Sequence, residues 1–265
     1  MSIPKQLAIT VLGSGSGGNA LVVHDGVDGL LVDAGFAAAE IRTRLARAGL
    51  AKSLLRGIIV THEHIDHVRG IRELSQQLNL PVFATSETSR VLHVKDPRLE
   101  PFLVFAADQQ FEFAGFTIQS FPVSHDTVDP IGLVISRNGL LVGIATDLGQ
   151  STRTVERHLC ECDILLVESN HDVKMVHDSK RIQQLKQRIL GNNGHLSNQA
   201  AMELIAKVLH PRTRYLILAH ISRHCNTPAL VEHCARECLE RLGRPDLTFR
   251  LALQDEVLET VWVGQ

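Results

Sequence analysis

Residues 61–67 read Thr61-His62-Glu63-His64-Ile65-Asp66-His67, directly after the apolar run Gly57-Ile58-Ile59-Val60. Packing alone does not explain three imidazoles and two carboxylates gathered at the end of a strand that reads as buried. Each is costly to take out of water without a partner. Neutral imidazole and carboxylate are the donors that transition metals accept, so the segment demands a fold that brings further ligands to the end of that strand.

The remaining composition admits such a fold. The chain has 265 residues, 44% of them hydrophobic and 21% charged, an ordinary soluble mixture. No Pro/Gly/Ser linker or repeat divides it, so one domain over residues 1–265 is expected. Net charge is −2, which leaves any polyanion to a local patch or to metal. The N-terminal residues form no signal-peptide pattern and no apolar run is long enough to span a bilayer, so a cytoplasmic protein without membrane contact is expected. Cys160, Cys162, Cys225, Cys234 and Cys238 are odd in number and unpatterned, as for ordinary half-buried thiols.

Short Val/Leu/Ile runs with turn residues between them predict strands at Leu7–Gly13, Ala20–Asp25, Gly29–Asp33, Arg56–Val60, Val82–Ala84, Gln110–Phe113, Phe116–Phe121, Ile131–Ser136 and Leu140–Thr146. Arg137-Asn138-Gly139 predicts a hairpin turn. Helices are expected at Ala37–Ala48, with Arg42, Arg44 and Arg47 outward, and at Val68–Leu78, with the histidine segment as a loop between strand and helix. From 152 onward helices (152–159, 180–190, 197–209, 228–241) alternate with strands Ile164–Glu168 and Tyr215–Ala219. Phe249–Leu253 and Val257–Val261 close the chain. Each half reads as antiparallel meanders plus helices. The economical arrangement is an α/β (α+β) four-layer sandwich, helix, sheet, sheet, helix.

Gly13-Ser14-Gly15-Ser16-Gly17-Gly18, with Asp33 twenty residues on, mimics a dinucleotide fingerprint. A helix must follow the last glycine to hold a pyrophosphate. Asn19-Ala20-Leu21-Val22-Val23 is a β pattern instead, so no nucleotide cofactor is expected. The glycines read as a tight turn beside the metal cleft, with amides that could touch an anion.

Four more polar residues stand where apolar runs end or a helix begins: His125, Asp147, His195 and His220. Together with the cluster they suit two cations. His62, His64 and His125 make one set, Asp66, His67 and His220 a second, and Asp147 a bridge with room for a metal-bridging hydroxide. His195 is left as general acid, and Asp66 could also orient the nucleophile. Asp33 and Glu168 could orient ligand imidazoles or cap neighbouring loops. Zinc, manganese and iron all suit such ligands.

Thr61-His62-Glu63-His64-Ile65-Asp66-His67 resembles the T-H-x-H-x-D-H motif of the metallo-β-lactamase superfamily, and the later His, Asp, His and His resemble its remaining motifs in order. The spacing of His195 and His220 is similar to that of tRNase Z-like phosphodiesterases, with a proton donor first and a metal ligand second. Gly13–Asn19, Val32-Asp33-Ala34-Gly35, Ser124-His125-Asp126, Asp129-Pro130-Ile131-Gly132, Ala145-Thr146-Asp147-Leu148-Gly149, Glu168-Ser169-Asn170-His171-Asp172, Leu185-Lys186-Gln187-Arg188-Ile189 and Gly194-His195-Leu196-Ser197-Asn198 resemble the YycJ/WalJ-like branch. That resemblance implies the αββα fold, metal dependence and 5′→3′ exodeoxyribonuclease activity on DNA. The chain departs from the branch at His177-Asp178-Ser179-Lys180-Arg181-Ile182-Gln183, where a Tyr/Pro-containing segment is usual.

Lys180, Arg181, Lys186 and Arg188, with His171, are the candidate substrate-binding residues, by phosphate contact. A small-substrate hydrolase (cyclic nucleotide, thioester or lactam) is the alternative, and a non-catalytic metal scaffold a remoter one. One Trp, one Tyr and nine Phe argue against an aromatic stacking platform.

Overall fold

The computed structural model describes residues 5–99 and 101–264. Residues 1–4, part of the start expected to carry no targeting segment, lie outside them. No helix among the described residues is long and apolar enough to cross a membrane. The first half runs β1 (Gln6–Gly13), β2 (Ala20–His24), β3 (Gly29–Val32), α1 (Ala38–Arg47), β4 (Leu55–Ile59), α2 (Ile65–Val68), α3 (Ile71–Leu78), β5 (Val82–Thr85), α4 (Ser86–Lys95) and β6 (Phe102–Phe105). The second runs β7 (Gln110–Phe113), β8 (Phe116–Pro122), β9 (Ile131–Arg137), β10 (Leu140–Ala145), α5 (Arg153–Leu159), β11 (Ile164–Glu168), α6 (Val173–Asp178), α7 (Gln183–Leu190), α8 (Asn198–Val208), β12 (Tyr215–Ala219), α9 (Pro228–Arg241), β13 (Thr248–Leu251) and β14 (Val261–Gly264).

Two seven-stranded sheets form, in the orders β14-β1-β2-β3-β4-β5-β6 and β13-β12-β11-β10-β9-β8-β7. Strand alternation decides what each face meets. Leu7, Ile9 and Val11 of β1 enter the layer between the sheets with Ile118, Leu133, Ile144 and Ile217 of the other sheet. Leu12, Val22 and Ile58 face Ile41, Leu45, Ile71 and Leu74 of α1 and α3. Leu165, Val167 and Leu216 face Val155, Leu204, Ile205 and Val231 of α5, α8 and α9. The molecule is therefore the four-layer helix–sheet–sheet–helix sandwich.

Four expectations need correction. The sheets are mixed: β3 to β6 and β10 to β13 run parallel, joined through helices. Residues 65–68 are helical, so Asp66 and His67 sit on α2 and not in a loop. Arg44 is buried rather than outward; its Nη1 donates to the Leu12 and Gln254 carbonyls, its Nε to Glu40, and its guanidinium lies over Phe36. The last strand begins at Val261, because its register is set by pairing with Ile9. The weakly patterned α4, α6 and β6 had no sequence counterpart, and α7 begins at Gln183 rather than 180. Asn138 and Gly139 do make the two-residue turn, with φ of 56° and 81°.

His24 of β2 is buried, with Nε2 3.0 Å from Thr10 Oγ1 and its ring edge-on to Trp262. Burial, against a weaker pull from Asp25, lowers its pKa to about 4. Below about pH 6.5 the unfolded chain binds the proton and the folded one does not. This contribution to stability is full above that pH and is lost as pH falls through 4. His24→Phe should therefore lose about 2 kcal/mol less than wild type between about pH 7.5 and 4.5 in urea unfolding. Parallel losses in both proteins would remove His24 as a cause.

Candidate metal centre

The polar residues singled out above converge where neighbouring strands end. His62 and His64 follow β4, His125 follows β8, Asp147 follows β10 and His220 follows β12, while Glu168 is the last residue of β11. Asp33, Asp147 and His220 have φ of 58°, 56° and 53°. The left-handed region costs a non-glycine residue of order 1–3 kcal/mol, and such strain gathers at functional sites. β3, β10 and β12 thus each end in a reversal at a polar residue of the cluster or its support.

Ligand-type atoms of His62, His64 and His125 lie within 4.8 Å of one another, and so do those of Asp66, His67 and His220. Asp147 joins the two groups: Oδ2 is 3.2 Å from His67 Nε2, and Oδ1 is 3.7 Å from His125 Nε2 and 3.5 Å from His220 Nδ1. Asp66 Oδ2 is 3.8 Å from both His67 Nε2 and His220 Nε2.

Around these atoms a ring of acceptors selects which nitrogen faces inward. His67 Nδ1 donates to Asp33 Oδ2 at 2.7 Å, and Asp33 is itself held by Thr61. His125 Nδ1 donates to the Gly194 carbonyl at 3.0 Å. Glu168 Oε1 accepts from His195 Nδ1 at 2.8 Å and from His220 Nδ1 at 2.7 Å. In each case Nδ1 is taken and Nε2 is turned toward the cleft, the arrangement that orients metal-binding imidazoles; there His67 Nε2 also lies 3.0 Å from Asn19 Nδ2, and His125 Nε2 3.3 Å from His64 Nδ1. Asp33 and Glu168 carried the same signal as Asp147, a carboxylate closing an apolar strand.

The charges balance internally. Burial alone would raise the Glu168 carboxyl, but the imidazoles of His195 and His220 outweigh it and hold it at about 2. Burial likewise opposes the charge on His220, yet Asp147, Asp66 and Glu168 raise it to about 10. His67 is raised well above the usual range by Asp147 and Asp33 against burial, and Asp147 lies well below its own range under the pull of His220 and His67. His62 is pushed well down by burial and by neighbouring imidazoles. Three buried atoms of this cluster, His62 Nε2, His220 Nε2 and Asp147 Oδ2, make no hydrogen bond. Leaving such an atom unpaired costs about 1–3 kcal/mol. Three in one set of nitrogen and oxygen donors fit divalent cations.

The cleft opens into a cavity of about 320 Å3 lined by His64, Asp66, Asp147, His195 and His220 on one side and by Arg181, Leu185, Arg188 and Ile189 on another. Of the substrate-binding candidates, Arg181 and Arg188 line it. Arg188 is paired with Asp126, and Arg181 has a buried Nε without a partner. His171, Lys180 and Lys186 do not line it. His171 is buried with its backbone bridged to Ser197, Lys186 Nζ donates to the His177 carbonyl, and Lys180 is exposed. The glycine-rich turn adjoins the cleft through Ser16. Its Gly15, Gly17 and Gly18 amides are spent internally, on Asn19, Gln254 and Gly15, so they do not await an anion.

Residues 29–221 match the beta-lactamase superfamily domain. The chain is 31% identical to Exodeoxyribonuclease YycJ of Bacillus anthracis, over 89% of this chain and 90% of that one. It is 31% identical to Exodeoxyribonuclease WalJ of Streptococcus pneumoniae, over 83% and 84%. Among solved structures, the metallo-beta-lactamase fold protein YhfI from Bacillus subtilis superposes with a TM-score of 0.72 at 17% identity, covering 96% of this chain and 99% of that one.

Proposed function

The chain belongs to the metallo-β-lactamase superfamily, alongside the YycJ and WalJ proteins, as a hydrolase of a fold built around divalent metal, and we propose that it is a two-metal phosphodiesterase that degrades DNA 5′→3′. The observation that carries this reading is the shared carboxylate. Asp147 stands between His62/His64/His125 and Asp66/His67/His220, each triplet compact enough for one ion. The exodeoxyribonuclease names of the relatives support DNA as the polymer.

His62, His64 and His125 would hold one ion, Asp66, His67 and His220 the other, and Asp147 both. Zinc and manganese suit the donor set, as does iron. The chemistry two such ions supply when bound is a water deprotonated near neutral pH and charge to offset the phosphoryl oxygens. The chain's own residues do the rest. Asp66, beside both His67 and His220, orients the attacking water. Glu168 accepts a hydrogen bond from His195 Nδ1–H, so the proton handed to the departing oxygen as its bond to phosphorus breaks would come from Nε2–H. Arg181 meets a neighbouring phosphate on the open side of the cavity.

The test is a metal-loaded preparation on 5′- and 3′-labelled single and double strands. Mononucleotides released from the 5′ end are expected. Faster turnover of nitrocefin or a glutathione thioester than of any DNA would replace this reading with a small-substrate hydrolase. His195→Gln should slow DNA hydrolysis about 10²-fold, with metal content retained. It should lose less on bis(p-nitrophenyl) phosphate, whose leaving group departs without a proton. Equal losses on the two would remove His195 as the donor.

A further inference from the structure

α7 is an unusual wall for a polar cleft. None of its residues is buried, yet Leu185 and Ile189 line the cavity beside the metal-ligand cluster. They lie one helical turn apart and so share a face, and Arg181, just ahead of the extended N-cap Ile182, lines the same cavity. Across the chain, Ile65 lines the same cavity from α2, between His64 and Asp66, and is 63% exposed. An aliphatic residue has no use among ligand side chains, and leaving it in water forgoes burial. Two separate elements thus present aliphatic side chains to one cavity, next to an arginine with no ion pair among the described residues. Arg188, by contrast, is committed to Asp126.

Resting on the nuclease reading above, we infer that Ile65, Leu185 and Ile189 form a nucleoside site that packs the faces of the base at the strand end being degraded, while Arg181 holds the adjoining phosphate. The alternation matches a nucleotide, an anionic phosphate joined to a flat, largely apolar base. Aliphatic side chains in this cavity take the part that aromatic residues play in stacking platforms, since no Phe, Tyr or Trp is among the residues that line it. Packing on a base face is indifferent to which base is present, so the site serves a processive degrader without sequence preference. A phosphodiester with no base engages only the arginine.

The experiment is equilibrium binding by fluorescence anisotropy, using the metal-loaded full chain. One probe is a 3′-labelled phosphorothioate oligothymidylate, and the other is the same strand with abasic residues at its 5′ end. Wild type should bind the base-bearing end about tenfold more tightly, the effect of roughly 50 Å2 of apolar contact. In Leu185→Ala/Ile189→Ala the two affinities should converge, and Leu185→Phe should widen the gap. Arg181→Ala should weaken both probes alike. Equal affinities in wild type, or a gap that persists in the double variant, would overturn the inference. Hydrolysis is read separately, so inactivity on DNA would strike the nuclease reading without altering this comparison. No residue of α7 is fully buried, and unchanged melting temperatures and metal content verify that the variants fold.

Discussion

Asp147→Asn is expected to lower DNA hydrolysis about 10³-fold or more, the rate equivalent of the several kcal/mol that a two-ion site lends a phosphoryl transition state. Among the described residues Asp147 is the one carboxylate within ion-pair range of His67, His125 and His220 at once, so neither half of the cluster keeps its full charge without it. An amide oxygen retains the shape and can ligate one ion, but it carries no charge to hold two together. Metal analysis should therefore fall from two equivalents toward one. The metal-free variant should also unfold more easily, by about 3 kcal/mol, since His67 and His220 lose the buried anion that raises them. Near-normal turnover with two equivalents of metal would show that Asp147 does not bridge.

What the sequence made legible follows from which interactions are local. His62, His64, Asp66 and His67 announce themselves because their chemistry is packed into one segment. His125, Asp147 and His220 each close an apolar strand, so strand recognition and site recognition were one step. The layer order was legible because residue alternation along β1 sends Leu7, Ile9 and Val11 one way and Leu12 the other. Parallel pairing was not, because a buried parallel strand such as Ile164–Val167 and one in an antiparallel meander present the same apolar run. The burial of Arg44 depends on Gln254, 210 residues away, and no local pattern carries that. Of the substrate-binding candidates Lys180, Arg181, Lys186, Arg188 and His171, the cavity is lined by Arg181 and Arg188, and it adds Leu185, Ile189 and Ile65, which charge does not mark. Which cations stay free was decided by tertiary partners, Asp126 for Arg188 and the His177 carbonyl for Lys186.

Glu168→Gln is the second large effect, although Glu168 itself would touch neither metal nor substrate. Its Oε1 accepts from His195 Nδ1 and His220 Nδ1, and its Oε2 from the Leu148 and Leu196 amides at 3.2 and 3.1 Å. A glutamine must turn its NH2 toward one pair or the other. Either way two donors face a donor, in a site with no exposure to water. If the imidazoles lose, His220 no longer presents a fixed Nε2, which typically costs 10–100-fold in metal affinity. His195 also loses the acceptor of its Nδ1–H, which fixes Nε2 toward the leaving oxygen, worth about 10²-fold or more. The combined loss on DNA should reach about 10³–10⁴-fold. Saturating metal should recover only the first part, which a simple loss of folding would not allow. The remainder should depend on the leaving group, larger for DNA than for bis(p-nitrophenyl) phosphate. Asp33→Asn supplies the contrast, because Asp33 holds His67 alone and its loss should be recovered by metal and be blind to the leaving group. Should Glu168→Gln behave as Asp33→Asn does, Glu168 serves the metal ligand only, and the donor role of His195 falls with that result.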